Sequence, residues 1–177
     1  FIFTMLWTAC FVSGCVPQTP RIELTPEQIA AKAQKRAEIH TELASVYYSR
    51  RQFRVALEEV NDALKANVNY APAYNVLGLI HMTLNEDQLA QQNFERALSI
   101  TPTDSEAHNN YGWYLCQRVS ARIDEAIKHF MVAVRDPLYK TPEKSYTNAG
   151  ICEMRRGQHK GAANFFHNAL LINAKYV

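Results

Sequence analysis

Residues 107–152 read AHNNYGWYLCQRVSARIDEAIKHFMVAVRDPLYKTPEKSYTNAGIC. A small residue sits inside an amphipathic helical pattern at Gly112 and again at Gly150, 38 residues on. Between them a second helical pattern carries Ala126, then Phe130 four residues later, then Ala133 three beyond that. Toward the N-terminus the same register returns. Gly78 precedes Gly112 by 34 residues, and Ala44 precedes Gly78 by another 34. Ala56, Ala90 and Ala162 each lie twelve residues after their small partner, whereas Ala126 lies fourteen after Gly112. Val60, Phe94 and Phe166, followed by Ala63, Ala97 and Ala169, complete the four copies. The two extra residues of the third copy fall within 118–124.

Self-similarity at this period marks a repeat architecture. The pattern resembles the tetratricopeptide repeat, two antiparallel helices per unit. Small residues let the two helices of a unit approach closely, and the larger apolar residues fill the space between units. The fold class is therefore expected to be all-α, a tetratricopeptide-repeat solenoid of antiparallel helix pairs. The spacing predicts helices at 26–49, 53–66, 71–84, 87–100, 105–117, 122–135, 143–156 and 159–173. Grouped in pairs they give repeats at about 37–70, 71–104, 105–142 and 143–176, within one domain, 26–177. Thr25-Pro26-Glu27-Gln28 reads as a capping-box start, and Thr103-Asp104-Ser105-Glu106 as another capped start. Pro137 and Pro142 are expected to bracket a longer link before the fourth repeat. The last repeat ends without a capping helix, so the natural chain is expected to continue past residue 177, or a partner to cover that last face.

The formal net charge is only +2, and the Lys and Arg residues are dispersed. That gives no electrostatic footprint for nucleic acid. The chain has six histidines and four cysteines, but no HExxH, CxxC or glycine-rich phosphate loop. No catalytic centre, metal, cofactor or small-molecule substrate is expected.

Residues 1–14, FIFTMLWTACFVSG, form an apolar run ending in small residues, like the h-region of a secretory signal. No positive n-region or starting Met precedes it, so the natural chain is expected to begin a few residues earlier. Val12-Ser13-Gly14-Cys15 resembles a bacterial lipobox. Against the other reading, a soluble secreted protein cut at a different site, that resemblance implies cleavage before Cys15, acylation of Cys15, and, with Val16 next, placement at the outer membrane. Residues 15–25 would then be the lipidated tether, proline-containing and extended.

Cys116 and Cys152 fall at nearly equivalent places on the first helices of repeats three and four. Neighbouring first helices run side by side, which puts the two sulfurs about 3 Å apart in height. A disulfide is expected in an oxidising compartment. The other reading is two free thiols in the seam between repeats.

In this repeat class the first helix of each unit lines the concave groove. The residues expected there include an apolar stripe, Leu79, Met82, Trp113, Ile151 and Met154. Beside it run the amides Asn75, Asn109, Asn110 and Asn148. Amides suit a peptide backbone and apolar pockets suit its side chains. The alternative is that Trp113 and Met154 simply pack against neighbouring repeats. A subfamily that clamps a terminal carboxylate uses Lys and Asn where this chain has Thr41 and Ser45, so that mode loses support.

Several stretches go beyond a generic repeat: Asn109-Asn110-Tyr111-Gly112, Asp136-Pro137-Leu138-Tyr139 and Asn148-Ala149-Gly150-Ile151-Cys152. With the lipobox they resemble the PilF/PilW family of type IV pilus biogenesis and stability proteins. The resemblance implies a lipid-anchored protein on the periplasmic face of the outer membrane, without enzymatic activity. It implies a pilotin for secretin assembly, or a factor in fibre stability, with a secretin or other pilus-assembly protein as partner. The competing reading is an adaptor that recruits a cell-envelope enzyme such as a peptidoglycan synthase.

Overall fold

The structure, a computed structural model, describes residues 24–175. Cys15, the signal-like segment and most of the tether lie outside those residues. The described chain forms eight α-helices: α1 (Pro26–Ser49), α2 (Phe53–Ala66), α3 (Ala71–Thr83), α4 (Asp87–Ile100), α5 (Ser105–Arg118), α6 (Ile123–Ala133), α7 (Pro142–Arg155) and α8 (His159–Ile172). They pair as α1/α2, α3/α4, α5/α6 and α7/α8, and each pair packs on its neighbours in a row. Among the described residues no helix is long and apolar enough to cross a membrane.

The small residues let each pair close as expected, but the large apolar residues, expected between units, also sit on them within the pair. A Cβ added at Gly78 would lie 2.7 Å from the Phe94 ring, and one at Gly150 would lie 2.5 Å from the Phe166 ring. In the first repeat an alanine, Ala44, occupies the glycine's place, and the facing residue shrinks to Val60; both are fully buried. Phe94 and Phe130 are also fully buried, because the next repeat covers them. Each such ring stabilises the stack by about 2–3 kcal/mol through apolar burial.

The turns inside the pairs repeat one design. Arg51, Asn85 and Gly157 take φ values of 60°, 62° and 80°. The residue after each donates back across the end of the first helix: Gln52 to Tyr47, Glu86 to His81 and Gln158 to Glu153, all at 2.9 Å. This is a helix C-terminus closed by a left-handed residue. The third pair differs, since its two extra residues form a 3-10 turn at Ser120–Arg122.

Helix starts follow their caps. Thr25 Oγ1 accepts from the Gln28 amide at 3.3 Å, and the Thr25 amide donates to Gln28 Oε1 at 2.9 Å. Asp104 Oδ1 accepts from the Ala107 amide at 3.0 Å. Several expected boundaries shift by one or two residues, and two of the shifts have a visible cause. Helix α6 ends at Ala133 rather than 135, where Asp136 begins a turn: its Oδ1 accepts from the Leu138 amide at 2.9 Å and its Oδ2 from Ser105 Oγ at 2.8 Å. Pro142 opens α7 instead of standing outside it. Its missing N–H costs nothing in a helix's first turn.

Candidate functional site

Helices α3, α5 and α7 carry the groove residues expected from the sequence, and their placement separates those residues into two sets. Met82 and Trp113 come together at a cleft of about 340 Å³, with Gln117 and Arg118 completing its lining. Leu79 and Trp113 are half-buried and pack on the central core; Ile151 is half-buried, and Met154 is 46% exposed. The apolar stripe is thus a partly sunken row that opens at the Met82–Trp113 cleft.

The amides behave differently from the expectation of a peptide-holding surface. Asn75, Asn109 and Asn110 are buried, Asn109 completely. They bond to one another. Asn110 Nδ2 donates to Asn75 Oδ1 and Asn109 Nδ2 donates to Asn110 Oδ1, both at 3.2 Å. Asn109 Oδ1 also accepts from Ser145 Oγ at 2.9 Å and from Asn148 Nδ2 at 3.0 Å. These bonds join α3, α5 and α7 beneath the groove. A buried amide is stable only when its donors and acceptors are matched; here Asn75 and Asn109 are matched by the next repeat, and Asn110 by the preceding repeat and by Asn109 beside it. Asn148, half-buried, is the one at the edge of this network.

Gln117 and Arg118 were missed by the sequence reading. A charged residue in a helix's last turn usually faces solvent. Here Arg118 reaches across to the preceding repeat, donating to the Met82 carbonyl at 3.0 Å and to Asn85 Oδ1 at 2.7 Å. Its Nε lies 3.4 Å from Asp87. Arg155 of the next repeat donates to Gln117 Oε1. The cleft wall is therefore a chain of inter-repeat contacts with fixed side chains. A signal was present: two long polar residues follow Cys116, where the preceding repeat offers the Met82 carbonyl and the Asn85 amide and the next repeat offers the Arg155 guanidinium.

Cys116 and Cys152 are fully buried and joined by a disulfide, with Cα atoms 5.8 Å apart. The bond ties α5 to α7 directly beside Trp113 and Ile151. Behind the cleft, within repeat three, His108 and His129 meet with Nδ1 atoms 2.7 Å apart. His108 Nε2 donates to the Pro102 carbonyl at 2.9 Å, so His108 Nδ1 accepts from His129 Nδ1–H. Burial, and then the neighbouring His108, pull the His129 pKa down to about 4. Tyr111 donates to Glu95 at 2.8 Å and receives Arg122 at 3.3 Å; burial and the Glu95 carboxylate push its hydroxyl well above the usual tyrosine range. These polar groups brace the helix pair.

A solenoid of helix pairs with a cleft on its inner face defines a tetratricopeptide-repeat protein, a class built for protein–protein contact. Residues 71–104 match the family model for the tetratricopeptide repeat. The type IV pilus assembly protein PilF of Pseudomonas aeruginosa is 24% identical over 162 residues, covering 92% of this chain and 62% of that protein. The crystal structure of PilW, described as a widely conserved type IV pilus biogenesis factor, superposes with a TM-score of 0.74 at 35% identity, covering 79% of this chain and 63% of PilW. The structure of Pseudomonas aeruginosa PilF superposes with a TM-score of 0.76 at 23% identity, covering 81% of this chain and 64% of that one. The chain belongs to the PilF/PilW family. It spans just under two thirds of these relatives' length.

Proposed function

We propose that this chain is a non-enzymatic scaffold of type IV pilus biogenesis that captures a segment of a pilus-assembly protein in its concave cleft. The family relationship supports the pilus context. The observation that carries the binding mode is the cleft itself: the apolar Met82 and Trp113, flanked by the anchored side chains of Gln117 and Arg118. A large aromatic with polar neighbours is the composition of a binding hot spot. In this reading the partner is the secretin, Cys15 carries the lipid that takes the complex to the periplasmic face of the outer membrane, and the chain acts as a pilotin. The Cys116–Cys152 bond keeps the two helices of the groove in register while a partner pulls on them.

The test is the secretin's heat-resistant multimer in membranes of cells lacking this protein. The multimer is expected to be lost, to return with the wild-type gene, and to stay absent with Cys15→Ala or Trp113→Ala at normal protein levels. An intact multimer accompanied by unstable pili would overturn the pilotin role and move the partner to the fibre. Full rescue by Trp113→Ala would remove the cleft from the mechanism.

A further inference from the structure

The turn between α1 and α2 carries three arginines in five residues: Arg50, Arg51 and Arg54. The matching turn between α3 and α4 reads Leu84, Asn85 and Gln88. Arg51 occupies the left-handed position that Asn85 and Gly157 fill in repeats two and four. Asn and Gly adopt that conformation at little cost; an arginine there is strained. Nothing in the local fold requires arginine, because the same turn closes with the same hydrogen bond in all three repeats.

Two of the arginines also lack counter-charges. Among the described residues Arg50 and Arg51 make no ion pair, and Arg54 has only Glu58 at 3.8 Å, with both side chains exposed. The nearby acids of the second turn are engaged elsewhere, Glu86 with His81 at 2.5 Å and Asp87 with Arg118 at 3.4 Å. Two clefts, of about 360 and 510 Å³, share Arg51 and Phe53 as lining. Tyr48 walls the first, its ring 6.0 Å from that of Phe53 and its hydroxyl held by Thr83 at 3.0 Å. Arg51 and Arg54 line these clefts and Arg50 precedes them in the chain; weakly compensated guanidiniums at an aromatic recess are complementary to carboxylates flanking an apolar side chain.

We propose that the α1–α2 turn docks an acidic segment of a partner protein, seating one large apolar side chain against Tyr48 and Phe53 and carboxylates on Arg50, Arg51 and Arg54. This surface is separate from the Trp113 cleft. A protein segment fits better than an anionic bilayer, because the apolar groups here line recesses instead of projecting from the surface as a membrane-seeking face does.

The probe is a fluorescein-labelled peptide, Asp-Glu-Leu-Asp-Glu, titrated with the whole chain and read by anisotropy. Saturable binding that weakens with salt is expected. Arg51→Gly should weaken binding about fivefold, the scale of one exposed charge pair, while its urea midpoint stays level or rises because the strain is gone. Arg50→Gln and Arg54→Gln should act in the same direction, and Trp113→Ala should leave the probe bound. Equal binding by all three arginine variants overturns the proposal. So does equal binding of a peptide with serine in place of leucine, which would leave only charge attraction. Binding to vesicles containing phosphatidylglycerol, without binding to the peptide, assigns the turn to a membrane surface instead and also overturns it. Because Trp113→Ala is silent here, failure of this site and failure of the pilus reading are separable.

Discussion

Reducing the Cys116–Cys152 disulfide removes a cross-link between residues 36 apart in sequence. In the chain-entropy model a loop of that length restricts the unfolded state by about 3.8 kcal/mol at 25 °C. Both cysteines are fully buried, so the reduced thiols remain packed among the same neighbours and little native-state energy changes. Whole domains are stable by only about 5–15 kcal/mol, so the loss is a large share of the total. The measurement is urea unfolding, with the protein unfolded and refolded in the presence or absence of a phosphine reductant. With a slope of about 2 kcal/mol per molar urea, the midpoint should fall by about 2 M. A double Cys116→Ala, Cys152→Ala variant should fall at least as far and should no longer respond to reductant. A midpoint change below about 0.5 M, with the slope unchanged, would refute the reasoning. It would mean that α5 and α7 stay together in the unfolded chain, or that native packing strengthens on reduction.

Two further outcomes follow from the packing and the polar groups. Gly112→Ala should destabilise by about 1–2 kcal/mol in the same assay despite alanine's better helix propensity, because the new methyl meets the Ala126 carbonyl at 2.9 Å and a backbone atom cannot rotate away; a stabilised variant would contradict this. For His129, the native pKa is lowered from 6.5 to about 4, so the unfolded chain binds more protons between those values. Its contribution is intact above about pH 6.5 and is lost as pH falls toward 4. The loss between pH 7 and 5 is about 1 kcal/mol once solvent screening of this half-buried ring is allowed for. His129→Gln should flatten that part of the stability profile, and an unchanged acid slope would show that other groups cause it.

The helices were legible because the repeat period, the small residues and the large apolar residues all obey one rule of packing. Gly78 and Gly150 sit on Phe94 and Phe166 in the way their spacing implies. The asparagines were legible as a row but not as a buried one. Polarity alone points to the surface, and Asn109 is buried only because Ser145 and Asn148, more than thirty residues on, supply its partners. Arg118 was missed for the converse reason: its length lets it reach a carbonyl of the preceding repeat that no local pattern reveals. The strain at Arg51 is invisible in sequence, since nothing about arginine announces a left-handed backbone.

The amide chain beneath the groove has a mechanical meaning. It runs from Asn75 through Asn110 and Asn109 to Asn148, crossing the first helices of three successive repeats. Sliding one helix along its neighbour by a single residue, about 1.5 Å, would break these bonds and leave the buried amides of Asn75, Asn109 and Asn110 without their partners. The line therefore acts like the neutral axis of a bent beam, whose length stays constant while material on either side stretches or compresses. The amide line thereby sets a fixed pitch between α3, α5 and α7. A partner laid along it meets docking points whose separation does not depend on how strongly the whole molecule is bent.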